Sequence, residues 1–132
     1  MREIIFRGKR KDNGEWIEGA LYQISTDLPP FIMLINKHAE SHEVIHETVG
    51  QYTGMTDKNG VEIFEGDICR NSRNGEIVSV KWHGTMAGFV WSKRKEGTCL
   101  YDFGELFRAH DKYEVIGNIR DDPELLEVGG DG

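Results

Sequence analysis

The chain has 132 residues, the size of one domain, and its 38% hydrophobic content is enough for a packed core, so a wholly disordered chain is excluded. Five acidic residues follow Arg120, so residues 1–120 carry only −2 of the net charge of −7. This balance disfavours indiscriminate binding to polyanions or anionic membranes. No apolar run approaches the roughly 18 residues of a membrane span, and the start lacks the apolar run of a signal peptide. We therefore expect a soluble, cytoplasmic protein without a membrane partner.

The first half of the chain contains short extended segments. Residues 3–7 and 15–24 flank the dipeptide Asn13-Gly14, which favours the positive φ angles of a two-residue type I′ turn. These segments predict a β-hairpin. A short apolar run at residues 31–35 predicts a further strand.

The second half has the same character. Asn59-Gly60 and Asn74-Gly75 are further turn signals, and the latter predicts a hairpin between residues 67–70 and 76–82. Further strands are predicted at residues 88–92, 98–101 and 113–119, and short helices at residues 103–109 and 122–126. The chain therefore reads as mainly β: a β-sandwich, a small barrel, or a barrel with an N-terminal β subdomain.

The domain organisation follows from the absence of a linker. We predict a single β domain over residues 1–128, with an N-terminal β-hairpin region at residues 1–50 as a candidate subdomain and a barrel-like part at residues 51–120. Residues 129–132 have nothing to bury and are predicted to be disordered. Alternation along the predicted strands assigns Trp82, Trp91, Phe89 and Tyr101 to the core, with an exposed aromatic patch as the alternative.

A family resemblance lies at residues 51–68, QYTGMTDKNGVEIFEGDI. This segment resembles the YopX family of small phage and prophage proteins. Residues 4–7, 113–119 and 122–126 are similar to the opening and closing segments of that family. The resemblance implies a mainly β fold with an SH3-like barrel or roll and a phage or prophage origin. It supplies no catalytic residue.

The polar residues of that segment have two readings. Asp57 to Gly60 form a tight turn, because Asp accepts local backbone hydrogen bonds and Asn-Gly tolerates left-handed backbone. Fold maintenance explains them. The functional reading is a polar groove lined by Thr53, Asp57, Glu65 and Asp67.

The segment His42-Glu43-Val44-Ile45-His46 matches the H-E-x-x-H zinc motif. That motif works on a helix, where residues i and i+4 share one face and both imidazoles reach one metal. The β-branched residues around it favour a strand over residues 42–49, in which two such histidines lie roughly 13 Å apart. We therefore reject His42 and His46 as metal ligands and expect no cofactor and no enzymatic activity, with a metal-dependent hydrolase as the third alternative.

Two basic triplets point to the second alternative, a nucleic-acid-associated β-barrel protein. Basic groups near aromatic rings suit single-stranded nucleic acid. The triplets lie near Trp16 and Trp91 and consist of Lys9, Arg10, Lys11, Lys93, Arg94 and Lys95. Solvated hairpin ends explain them equally well.

Our leading hypothesis is a non-enzymatic phage or prophage accessory protein in the cytoplasm of a bacterial host cell. It would act through contacts with an unknown phage or host protein. Exposed strand edges, which proteins commonly pair or cover, also predict a homo-oligomer.

Overall fold

The computed structural model describes residues 4–34, 40–84, 88–95, 98–102 and 108–126, with the backbone alone at residues 94, 95 and 98–102. The chain divides into two compact units, residues 1–52 and 53–132. The described strands are β1 Phe6–Lys9, β2 Trp16–Tyr22, β3 Phe31–Leu34, β4 Ser41–Glu43, β5 Gly50–Thr56, β6 Glu62–Phe64, β7 Asp67–Asn71, β8 Ile77–His83, β9 Gly88–Lys95, β10 Thr98–Asp102 and β11 Tyr113–Asn118. The unit boundary falls inside β5, so no linker separates the units.

The N-terminal unit is an antiparallel arrangement in the order β4-β3-β2-β1-β5. Ile32 and Val44 are fully buried on its inner side. A Cβ atom added at Gly8 would lie 3.2 Å from the Cβ of Val44, and one at Gly19 would clash with the carbonyl oxygen of Met33. Glycine is therefore required on β2 by the close approach of β3.

The C-terminal unit contains an antiparallel sheet in the order β10-β9-β8-β7-β11, and β6 is hydrogen-bonded to β5. Its core is a cluster of buried side chains from β6 to β11: Ile63, Cys69, Val78, Val80, Phe89, Trp91, Ala109 and Tyr113. The mainly β prediction is confirmed, and in the described part of the chain neither sheet is closed.

The hairpin predictions are confirmed, but the predicted two-residue turns are wrong. The N–H of Asn71 donates to the carbonyl of Glu76 at 2.8 Å, which encloses a four-residue loop at residues 72–75. Gly75 ends this loop at a φ of 75°, and residues 11–14 form a loop of the same length. The longer loops form because the side chains of Asn13 and Asn71 accept backbone N–H groups of the turn.

The aromatic core prediction is confirmed at Trp91 and Phe89 and wrong at Trp82. Trp91 is 1% exposed and packs against Tyr113 at a ring distance of 4.5 Å, whereas Trp82 is 47% exposed. The described pairing between β8 and β7 ends at Ser79, so Trp82 lies beyond β7 and packs edge-on against Phe89. The side chain of Tyr101 is outside the described residues.

Helical structure is sparse. A helical turn at residues 124–126 confirms the second predicted helix, and 3₁₀ turns occupy His46–Thr48 and His110–Lys112. Most of the helix predicted at residues 103–109, and the tail at residues 129–132, lie outside the described residues. No helix in the described ranges has the length and apolar character needed to cross a membrane.

Candidate functional site

An open cleft of about 430 Å³ lies in the N-terminal unit, between the β2–β3 loop and the segment that follows β4. Its size falls within the range of ligand-binding clefts. The residues that line it are Lys11, Gln23, Thr26, Asp27, Leu28, Pro29, Pro30, Glu43, Val44, Ile45, His46 and Glu47.

Hydrogen bonds hold the wall of the cleft formed by the β2–β3 loop. Gln23 Nε2 donates to the carbonyl of Leu28 at 2.6 Å, and the N–H of Leu28 donates to the carbonyl of Ser25 at 3.0 Å. The N–H of Val44 donates to the carbonyl of Pro30 at 3.1 Å, which joins this loop to the opposite wall. Because both walls are tied to the strands, the cleft is formed before any ligand arrives.

The surface of the cleft is both apolar and acidic. Leu28 is 47% exposed and Ile45 is 37% exposed, so both place aliphatic surface in the cleft. Lys11 Nζ lies 3.1 Å from Glu43 Oε2, so the two charges offset each other. Apolar surface with a polar rim is typical of a site that binds another molecule.

The H-E-x-x-H segment provides part of this cleft. The predicted strand over residues 42–49 is confirmed at β4 and wrong at His46–Thr48, where the chain makes a 3₁₀ turn. The turn forms because the N–H and Oγ1 of Thr48 both donate to the carbonyl of Ile45, at 2.9 and 2.7 Å. His42 and Glu43 thus lie in a strand and His46 in a turn, so the motif does not occupy one face of an α-helix.

Among the described residues, no group of three or more histidine, cysteine, aspartate or glutamate side chains is placed to hold a metal ion. His42 Nε2 lies 3.4 Å from Glu40 Oε1 and forms an ion pair only when the imidazole is protonated. This contact lacks hydrogen-bond geometry, so the imidazole nitrogen is buried without a hydrogen bond.

Asp57, one of the four predicted groove residues, is 4% exposed and binds the backbone on two sides. Its Oδ1 accepts the N–H groups of Asn59 and Val61 at 2.8 and 2.9 Å, and its Oδ2 accepts the N–H of Val115 at 2.9 Å. The N–H of Lys58 donates to a carbonyl at the start of β11 at 2.9 Å. The carboxylate therefore closes the turn before β6 and fastens that turn to β11.

Two of the other groove residues, Thr53 and Asp67, are also engaged with the backbone. Thr53 Oγ1 donates to the carbonyl of Ile63 at 2.8 Å, and Asp67 Oδ2 accepts the N–H of Phe64 at 2.7 Å. Thr53 and Asp67 are each 1% exposed, and Glu65 is half-buried. The contacts at Asp57, Thr53 and Asp67 support the fold, and the groove of Thr53, Asp57, Glu65 and Asp67 stays a prediction.

The first basic triplet lies next to acidic and aromatic partners. Arg10 donates two hydrogen bonds to Asp12, at 2.9 and 2.7 Å, and these bonds hold the pKa of the Asp12 carboxyl below its ordinary value. Lys9 Nζ and the guanidinium of Arg7 lie 5.5 and 4.8 Å from the ring centre of Trp16. The indole face that would stack on a base is thus next to two cations of the same chain.

The second triplet is described only in part. Lys93 Nζ lies 3.2 Å from both carboxylate oxygens of Glu76, and the side chains of Arg94 and Lys95 are outside the described residues. Nucleic-acid binding by the six triplet residues stays a prediction.

Sequence reasoning missed the cleft itself. Its apolar contributors, Leu28 and Ile45, lie in segments of irregular pattern, and its acidic contributors, Asp27 and Glu47, match no motif. The available signal was the rigid Pro29-Pro30 pair beside aliphatic residues and carboxylates. Its walls meet only after β2, β3 and β4 have paired, which no local pattern reveals.

The fold and the cleft define a mainly β protein whose described candidate site is a preformed, open cleft. The profile of the YopX protein family matches residues 5–127, so the chain belongs to the YopX family. The crystal structure of protein EF1440 from Enterococcus faecalis is similar over 96% of this chain and 99% of that chain, with a TM-score of 0.56 and 24% identity. This likeness concerns the fold alone. A search of curated proteins finds no match.

Proposed function

We propose that this YopX protein is a non-enzymatic phage or prophage accessory protein that acts in the host cytoplasm by binding another protein through the cleft of its N-terminal unit. Its family membership supports the phage or prophage origin. The single observation that carries the interaction role is the cleft, because exposed Leu28 and Ile45 line a preformed depression. Exposed aliphatic surface is costly in water and becomes favourable when a partner covers it.

The proposal includes self-assembly, which edge strands support. β10 is the terminal strand of its sheet in the described chain, and an edge strand presents N–H and C=O groups that a second copy can pair. Light scattering at micromolar concentration should give a mass of at least two chains. A strict monomer of 15.1 kDa would refute self-assembly and leave the cleft proposal intact.

We further infer that the C-terminal unit is an SH3-like roll. The support is its connectivity: β7 to β10 follow one another as antiparallel neighbours, a 3₁₀ turn precedes β11, and β11 pairs with β7. This order is typical of SH3-like barrels. An experimental structure in which β7 to β11 surround a single core would support the assignment, and a flat sheet would refute it.

The interaction role is tested by recovering partners from cells that carry the phage or prophage. Tagged wild-type protein, Leu28→Ser and Val61→Ser are used in parallel, with retained proteins identified by mass spectrometry. Val61 is 48% exposed and lies in the C-terminal unit, so its substitution is a matched control outside the cleft. We expect a partner that wild type and Val61→Ser retain and Leu28→Ser loses. Equal retention by all three proteins would refute binding through the cleft.

A further inference from the structure

The charges of the cleft restrict its occupant, and this step rests on the proposed interaction function. The lining contains one lysine and three carboxylates, a net charge of −2 with His46 neutral. Lys11 and Glu43 form an ion pair at 3.1 Å, which leaves the exposed carboxylates of Asp27 and Glu47. Within the described chain, neither Asp27 nor Glu47 belongs to an ion pair. A phosphate, a nucleic acid or an anionic membrane would therefore be repelled.

The apolar surface adds a second requirement. A cation alone would satisfy the carboxylates and leave Leu28, Pro29 and Ile45 in water. An aliphatic side chain alone would cover these residues and leave the carboxylates without a counter-charge. We propose that the cleft binds an extended segment of a partner protein in which arginine or lysine alternates with aliphatic residues.

The shape of the cleft fits a segment better than an enclosed small molecule. Small-molecule pockets surround most of their ligand, whereas this depression of about 430 Å³ is open to solvent. In an extended chain, successive side chains point to opposite sides, so a segment lying in the cleft turns its basic residues to one wall and its aliphatic residues to the other. Each wall offers both an exposed carboxylate and an exposed aliphatic side chain, Asp27 with Leu28 on one and Glu47 with Ile45 on the other. Arginine and lysine also lay their aliphatic stems along apolar surface while the charged end reaches a carboxylate.

The proposal is tested with three capped hexapeptides and ¹⁵N-labelled protein. The probe is Leu-Arg-Leu-Lys-Leu-Arg; one control replaces its basic residues with glutamate, and the other replaces its leucines with serine. We expect saturable chemical-shift changes at residues 23–30 and 43–47 with the probe, and weaker binding of both controls. Asp27→Asn and Glu47→Gln should each reduce affinity about two- to five-fold, the effect of one exposed ion pair. Glu62→Gln, in the C-terminal unit, should leave the affinity unchanged.

Each contrary outcome has a distinct meaning. No binding of the probe, shift changes outside the cleft, or equal binding of the glutamate or serine control would overturn the proposed chemistry. If Leu28→Ser still releases the cellular partner while the probe binds Asp27→Asn and Glu47→Gln as tightly as wild type, the interaction function stands and the charge selection fails. If all three variants retain the partner, the interaction function fails as well.

Discussion

Replacing Asp57 with alanine should destabilise the C-terminal unit severely. The carboxylate accepts three backbone N–H groups, those of Asn59, Val61 and Val115, at 2.8 to 2.9 Å, and is 4% exposed. Alanine removes all three acceptor contacts at once. The asparagine variant keeps one oxygen for the turn but presents an NH₂ group to the N–H of Val115.

The magnitude follows from where the three amides lie. An unsatisfied buried amide costs about 1–3 kcal/mol. Asn59 and Val61 are exposed, so their amides can turn to water and each loss counts at the low end, about 1 kcal/mol. The half-buried Val115 amide counts at about 2 kcal/mol. Asp57→Ala should therefore lose about 4 kcal/mol, and Asp57→Asn about half of that.

Urea unfolding monitored by tryptophan fluorescence measures this loss, because Trp91 lies in the core of the affected unit. With a urea slope of about 2 kcal/mol per molar, the midpoint for Asp57→Ala should fall by about 2 M. Asp111→Ala, an exposed acidic substitution in the same unit, should change stability by less than about 0.5 kcal/mol. A loss below about 1 kcal/mol for Asp57→Ala would refute the reasoning, as would equal losses for Asp57→Ala and Asp57→Asn.

Three further predictions follow from the described contacts. Gly19→Ala must push β2 away from β3 at Met33 and should lower the melting temperature. Gly84→Ala, which has open space around its Cβ, should leave the melting temperature unchanged, and equal melting temperatures for the two variants would contradict the reasoning. In NMR the Asp12 carboxyl should titrate below its ordinary pKa, and Arg10→Gln should raise the pKa of Asp12. The ion pair stabilises the folded protein fully above the ordinary pKa of the carboxyl, and this contribution is lost as the pH falls through the lowered pKa of the folded state. Because the described cations of the basic triplets lie beside carboxylates or an aromatic ring, the protein should pass a single-stranded DNA column at low salt; salt-sensitive retention would favour the nucleic-acid alternative.

The sequence predicts most of the strands because turn signals and period-two alternation are local, but it does not predict β5 or β6. It cannot predict the length of the loops, since the side chain of Asn71 competes with the backbone for the amides of the turn. The exposure of Trp82 depends on where β7 begins, and the 3₁₀ turn at His46–Thr48 depends on two hydrogen bonds to one carbonyl. The first is set by a neighbouring strand that the local pattern does not contain, whereas the second is a contact between residues three apart.

The cleft illustrates the same limit for the candidate site. Its residues come from three separate segments, and only residues 43–46 overlap a recognised motif. The one strong motif, H-E-x-x-H, contributes Glu43 and His46 to the cleft as polar wall residues on different elements.

The pairing of β7 with β11 affects the order in which the two units can fold during synthesis. All described strand pairs of the N-terminal unit involve residues up to 51. The pairing of β7 with β11, in contrast, requires residues 113–118. During synthesis the first unit can acquire its pairings while the second is still leaving the ribosome. The hydrogen bond from the N–H of Val115 to the carboxylate of Asp57 is then among the last to form, because Val115 follows Asp57 by 58 residues.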